Sequence, residues 1–269
     1  MQNIIINADD YAMDAGVDAA IMQLAARGVV TAASAMVRSR RWPESARASH
    51  DAPKLSWGLH LDLTSPFVDA GFPPQRLFPL MARARAGLLD RARLRREVDS
   101  QLSLFEAGRK CAPEFVDGHQ HIHQFPAIRE TLLDALADRY GRDAMRIGVR
   151  ICAPRKWRGV KAAIVGGTGA KGLSRLAGER GHSVNSDFAG VYGFAAGANL
   201  AALWRGWARG LRGALPLVMC HVALTVSGVS GSGDPIRQAR LREYAWLASE
   251  EFQSLCQRFA IRPAHWPPA

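Results

Sequence analysis

Residues 3–11 read NIIINADDY: Asn3, Ile4, Ile5, Ile6, Asn7, Ala8, Asp9, Asp10, Tyr11. Three isoleucines form a short apolar run with strong β preference, and they lead straight into two adjacent carboxylates. The next stretch, DAGVDAAIMQLAARG (14–28), places Val17, Ile21, Leu24 and Ala25 on one helical face and ends at Gly28. Strand, polar turn and helix make a first βα unit. Neighbouring carboxylates repel unless positive charge sits beside them. One aspartate can cap the helix. The second needs another reason, and a bound cation is one.

The same alternation continues along the chain. GVVTAASAMV (28–37), LSWGLHLDLT (55–64), EFVDGHQHIH (114–123), AMRIGVRI (144–151), FAGVYGF (188–194) and PLVMCHVAL (216–224) read as strands. Helices are predicted over 90–108, 126–141 (with Pro126 in the first turn), 197–211 and 235–259, with an irregular Pro- and Gly-containing segment over 65–88. Alternating β and α units predict a parallel sheet. About seven such units without a linker predict one α/β domain over 1–269. The expected fold is an irregular, TIM-barrel-like (β/α) barrel, with an open doubly wound sheet as the alternative.

The chain has 269 residues, 48% hydrophobic and 22% charged, with a formal net charge of +11 carried almost entirely by arginine. The arginines are dispersed, and no basic tail with interleaved aromatics suggests nucleic-acid binding. Attraction to an anionic glycan or membrane surface fits the charge at least as well as nucleic acid, and a solvated basic surface is the simplest reading. No apolar run approaches the roughly 20 residues of a membrane span. No basic and apolar leader opens the chain, so a cytoplasmic protein is expected. LWRGWARGLRG (203–213) pairs Trp204 and Trp207 with arginines, which adds peripheral contact with the inner membrane face as an option. Cys111, Cys152, Cys220 and Cys256 are far apart, against a disulfide framework or thiolate zinc site. Oligomeric state is open, a homodimer included.

The chemistry concentrates at strand ends. In LSWGLHLDLT, Leu59, Leu61 and Leu63 alternate with His60 and Asp62, so His60 projects away from the leucines. In VDGHQHIH, an extended backbone would put Asp117, His119, His121 and His123 on one face. His221 closes the apolar strand PLVMC. Asp9, Asp10, His60, His119 and His221 thus fall at the carboxyl ends of predicted strands, where α/β folds carry their sites. Two imidazoles and a carboxylate, with positions left for water, suit a hydrolytic divalent-metal centre. Zinc or magnesium would fit, and manganese, cobalt or nickel are also compatible. One of the paired aspartates would then be a ligand and the other a proton acceptor. Asp117 is placed either to orient a ligand imidazole or to form the turn before Gly118.

NADD near the N-terminus, GLHLDLT, DGHQHIHQFP, and the late MCH with its following R-x-x-E-Y-x-x-L resemble the YdjC/ChbG-type carbohydrate deacetylases, including the HpnK branch. The resemblance spans essentially the whole chain. It implies an irregular (β/α) barrel and metal-dependent hydrolysis of an N-acetyl group from an acetamido sugar, whether chitooligosaccharide, glycosylated hopanoid or another lipid-linked sugar. By position it implies Asp10, His60 and His119 as metal ligands, Asp9 as general base and His221 as the acid for the leaving amine. Tyr11-Ala12 stands where the family usually has Phe-Gly, and Val222-Ala223 where Pro-Gly often follows the late histidine.

Other residues are candidates for substrate contact. They are Arg150, placed to meet a sugar hydroxyl, a phosphate or Asp9, the backbone and side chain of Tyr11, and His121 and His123, each an alternative to His119 as ligand. Phe125, Trp57, Phe67 and Trp157 are candidate sugar-stacking rings. The same constellation also suits a metal-dependent phosphoesterase or another amidohydrolase, and a barrel could bind glycan or lipid without catalysis. A separate motif, AAIVGGTGAKG, places Gly167, Gly169 and Gly172 in a G-x-G-x-x-G pattern, with Asp187 where a ribose ligand would lie. It would make an NAD-type dehydrogenase. Its preceding apolar run is short, and a helix break or loop is the simpler expectation.

Overall fold

The computed structural model describes residues 1–67, 74–227 and 233–266. Eight strands are described: β1 (Gln2–Tyr11), β2 (Ala32–Ala35), β3 (Ser56–Leu61), β4 (Phe115–Gly118), β5 (Gly148–Val149), β6 (Phe188–Ala189), β7 (Leu217–Cys220) and β8 (Ile261–Pro263). The described helices are α1 (Ala15–Ala26), α2 (Trp42–Ser49), α3 (Leu77–Arg85), α4 (Arg91–Arg109), α5 (Ile128–Tyr140), α6 (Val160–Gly167), α7 (Ala170–Glu179), α8 (Leu200–Gly210), α9 (Arg237–Leu247) and α10 (Glu250–Arg258).

All strand pairs are parallel, in the order β5-β4-β3-β2-β1-β7-β6, with β8 beside the first half of β1. The sheet curls into the barrel-like form expected. Its two edges are drawn together by a bridge between Val149 and Val184. Asn185 reinforces the closure, accepting from Ile151 N at 2.7 Å and donating to Ile151 O at 3.0 Å.

Period-two alternation assigns each strand residue to one side. On β1, Ile4, Ile6 and Ala8 join the outer core beneath the helices, while Ile5 packs inside with Phe115, Phe188, Leu217 and Trp266. Trp266 stacks on Phe115 at 5.0 Å and 15°. Two glycines make room: a side chain at Gly58 would collide with the Phe115 ring, and one at Gly148 with Trp266. One end of the barrel is thus plugged by rings. Moving along the strands, the inward positions become polar: Asn7 and Asp9 on β1, Ser34 on β2, His60 on β3, Asp117 on β4 and Arg150 after β5.

Several expectations need correction. The strand over 114–123 stops at Gly118, and residues 119–124 form a tight 3₁₀ turn in which Gln120 and His121 have positive φ of 53° and 62°. The histidines therefore do not share a strand face. The segment 235–259 is two helices, broken where Ser249 caps α10 by accepting from Phe252 N. Within 65–88, residues 77–85 are helical, and 68–73 lie outside the described residues. The glycine-rich motif follows no strand. It spans the end of α6 and the start of α7, Gly169 packs against the carbonyl of Gln124, and Asp187 is paired to Arg158 at 2.9 Å. No dinucleotide fingerprint is formed, and the helix-break expectation holds.

Candidate active site

The adjacent aspartates face the same cavity because β1 does not end as a regular strand. Successive residues of a strand point to opposite faces. Between Ala8 and Tyr11 the register to β2 slips, and Asp10 adopts φ of 71°. This bulge turns Asp10 inward beside Asp9. Ala12, where the resembled family has glycine, also has positive φ, 72°. Buried Asp18 holds that turn, accepting from Ala12 N at 2.6 Å and Ser45 Oγ at 2.6 Å.

Asp10 gathers the two expected imidazoles. Its Oδ1 lies 3.2 Å from His60 Nε2 and 3.0 Å from His119 Nδ1, and one ligand atom from each of the three residues lies within 4.8 Å of the others. Its Oδ2 accepts from Arg240 on α9 at 2.7 Å, and Arg240 also donates to Asp234 at 2.8 Å. The arginine leaves Oδ1 as the ligand atom. His60 Nδ1 is 2.6 Å from Asp117 Oδ1, which orients the ring so that Nε2 faces Asp10. Asp10 is virtually inaccessible, while His119 keeps a fifth of its surface, so the site opens on the His119 side. Oxygen and two nitrogens at these separations fit a divalent cation.

Asp9 belongs to a second, linked set. Its Oδ1 receives Arg150 Nη1 at 2.6 Å and Asn7 Nδ2 at 2.7 Å. Arg150 Nη1 also lies 2.8 Å from Asp117 Oδ2, which accepts from Ser34 Oγ at 2.6 Å. A fully buried guanidinium thus compensates Asp9 and Asp117 together.

Burial alone would raise the pKa of both adjacent aspartates. For Asp9 this is outweighed by Arg150, His60 and His221, and for Asp10 by Arg240 and His119, so both are held below the usual carboxylate range. His60 goes the other way: burial disfavours its charge, yet Asp117 and Asp10 push it up to about 10.

His221 follows β7, the strand paired with β1, and its Nε2 lies 4.0 Å from Asp10 Oδ2. Its backbone N–H donates to Glu243 at 3.0 Å, and Phe194 stands edge-on to its ring at 5.4 Å. Burial lowers its pKa to about 4 despite Asp10 and Asp9, so the resting imidazole is neutral. Burial likewise pushes Glu243 up to about 7.

The substrate candidates separate sharply. Arg150 is wholly buried and contacts Asp9, not solvent. Tyr11 is buried in the core, its hydroxyl donating to Ser45 O at 2.7 Å and its ring edge-on to Trp57. Phe125 and Trp57 are also core. His123 is buried, with Nε2 2.8 Å from Arg150 O, and locks the turn rather than facing a ligand. None of these side chains reaches a substrate without rearrangement. His121 is partly exposed, edge-on to Phe188 at 6.0 Å, and close enough to Asp9 and His221 to feel their charge. Trp157 is exposed, in the segment before α6, and lines a groove with Tyr192 and the α8 residues Ala202, Leu203 and Trp207. Sequence reasoning gave no role to Asn7, Arg240 and Glu243, although NADD and R-x-x-E-Y-x-x-L contain them, and it passed over Ser34. Asn7 carried a signal, being a polar residue inside an apolar strand and two positions before Asp9.

The fold and this constellation define a parallel α/β barrel with a carboxylate–imidazole centre at the carboxyl ends of its strands. The chain belongs to the YdjC-like protein family, whose model matches residues 3–258. It is similar to a carbohydrate deacetylase of Geobacillus stearothermophilus, 33% identical over 141 residues, covering 51% of this chain and 56% of that protein. A chitooligosaccharide deacetylase of Enterobacter sp. (strain 638) is 31% identical over 130 residues, covering 46% and 52%. The chain spans about half the length of these curated relatives in the matches. A crystal structure from Enterococcus faecalis V583, provisionally described as a cellobiose-phosphate cleavage protein, shares the fold: TM-score 0.73, 22% identity, covering 98% of this chain and 97% of that one.

Proposed function

We propose that this protein is a metal-dependent hydrolase that removes the acetyl group from an acetamido sugar. The observation that carries the reading is the division of labour between two adjacent aspartates. Asp10 faces His60 and His119, while Asp9 is held by Arg150 and Asn7 in a separate set. The names of the relatives supply the carbohydrate amide as substrate class.

Asp10, His60 and His119 would hold the divalent cation, which when bound supplies Lewis acidity to an amide carbonyl and to water. The chain's own residues do the rest. Asp9 accepts a proton from the attacking water. Both its close contacts fall on Oδ1, so Oδ2 is the atom that takes the proton. Arg150 fixes the carboxylate and keeps it ionised. His221, at the end of the neighbouring strand β7, is neutral at rest; it takes up a proton from solvent as negative charge develops beside it and passes that proton to the departing amine, while the proton accepted by Asp9 returns to solvent. Asp117 keeps His60 in the tautomer that presents Nε2.

Acetate release from a panel of N-acetylated sugars tests the proposal, with and without chelator. Release that stops with chelator and returns with added cation supports it. Phosphate release from sugar phosphates without any acetate would replace it by the phosphoesterase reading.

A further inference from the structure

We propose that α6 and the residues just before it form a docking face for an anionic lipid bilayer, holding the mouth of the active site at the membrane surface. α6 is apolar on both its inner and its outer face, whereas a surface helix of a globular domain ordinarily carries polar residues outward. Its inner arc is Ala162, Val165 and Gly166, which pack against the protein. Its outer arc is Val160, Ala163, Ile164 and Gly167, all exposed and spaced i, i+3, i+4, i+7. Val160 is 65% and Ile164 62% exposed, and Trp157 beside them is 73% exposed. Among the described residues these are three of seven large exposed hydrophobics, and they lie within eight positions. An apolar stripe headed by tryptophan and flanked by cations matches a segment that lies in a membrane interface.

Charge chooses the occupant. Between Asp143 and Glu179 the sequence has no acidic residue. Arg155, Lys156 and Lys161 are exposed around the apolar stripe. A second copy of the chain would bring these cations against each other, whereas anionic headgroups neutralise them. Position gives the face its use. Lys161 Nζ lies 4.7 Å from the Phe194 ring, and Phe194 in turn stands against His221. Gln124, which ends the turn carrying His119, donates to Val165 O at 3.3 Å and Thr168 Oγ1 at 3.2 Å. The face is therefore fastened to the lip of the site. Resting on the proposed deacetylation, the inference implies a sugar presented from a lipid surface.

Co-sedimentation with vesicles tests this without any turnover. Wild-type protein should pellet with phosphatidylcholine vesicles containing roughly 30% phosphatidylglycerol, not with phosphatidylcholine alone, and should be released as salt rises from about 50 to about 500 mM. Val160→Ser combined with Ile164→Glu should weaken binding at least about tenfold with an unchanged melting temperature and unchanged acetate release from a soluble acetamido sugar. No binding of wild type to the anionic vesicles would overturn the proposal. So would binding that ignores the double substitution, or a patch that proves to hold a dimer, read as a halved mass in the variant by light scattering. Because vesicle binding needs no catalysis, a protein that binds but releases no acetate would fault the enzymatic reading and leave the docking face standing.

Discussion

The two ends of the barrel interior are built by the same strands and differ in almost every physical respect. At one end Phe115, Trp266, Ile5 and Phe188 fill the space with rings and aliphatic carbon. A few residues further along, Asp9, Asp10, His60, Asp117, Arg150 and Arg240 fill it with charge, each of them buried. The apolar end needs only shape, since burial itself is favourable. The polar end is stable only as a set, because each ion there is tolerated on account of its neighbours. Substitutions at the two ends should therefore fail differently.

The largest effect is expected from Arg150→Leu, which strands Asp9 and Asp117 in a buried site. A loss of about 3–5 kcal/mol is expected in urea unfolding, reduced when Asp117→Asn is added, because the uncompensated charge is then smaller. Trp266→Ala should cost a comparable amount, about 3–5 kcal/mol, by opening a cavity. Its loss should be insensitive to pH and salt, and metal binding below the melting transition should persist. If both variants showed the same pH dependence, the contrast between the two ends would be wrong.

The smaller predictions sharpen the polar end. Asp117→Asn removes the anionic partner of His60 Nδ1 and should weaken metal affinity by roughly 10–100-fold, measured by calorimetry. Glu243 gives a pH signature. Its pKa is raised from 4.5 to about 7, so between those values the folded chain holds more protons than the unfolded one. Stability should then fall as pH rises through that window, by on the order of 3 kcal/mol. Glu243→Gln should flatten that part of the profile, as read from urea midpoints at several pH values. An identical profile in the variant would remove Glu243 as its source.

Legibility in the sequence followed the same divide. Asp9, Asp10, His60, His119 and His221 could be read because each follows an apolar strand, and parallel strands deliver their ends to one edge. Their partners were legible only as alternatives. Asp9 was one of the groups open to Arg150, 141 positions away, and orienting an imidazole was one of two roles open to Asp117. Arg240, 230 positions from Asp10, stood in the late R-x-x-E-Y-x-x-L motif with nothing local to say which carboxylate it meets. The histidine cluster was misread because alternation implies an extended chain, and no glycine marks the positive φ of Gln120 and His121. Trp204 and Trp207 fit either membrane contact or an amphipathic barrel helix, and α8 turns them inward, against each other at 5.5 Å, as the second reading expects. α6 instead shows an apolar face outward. Periodicity identifies a helix's apolar stripe without saying which way it turns. No described helix is long and apolar enough to cross a membrane.

The most direct test of the account is calorimetric titration of a divalent cation into three proteins, with acetate release measured on the same samples: wild type, Asp9→Asn and Asp10→Ala. Wild type should bind one equivalent and turn over. Asp9→Asn should bind the cation with little change yet release no acetate, and Asp10→Ala should lose both. Cation binding that survives in Asp10→Ala, or disappears in Asp9→Asn, would contradict the assignment of ligand and base to these neighbouring carboxylates.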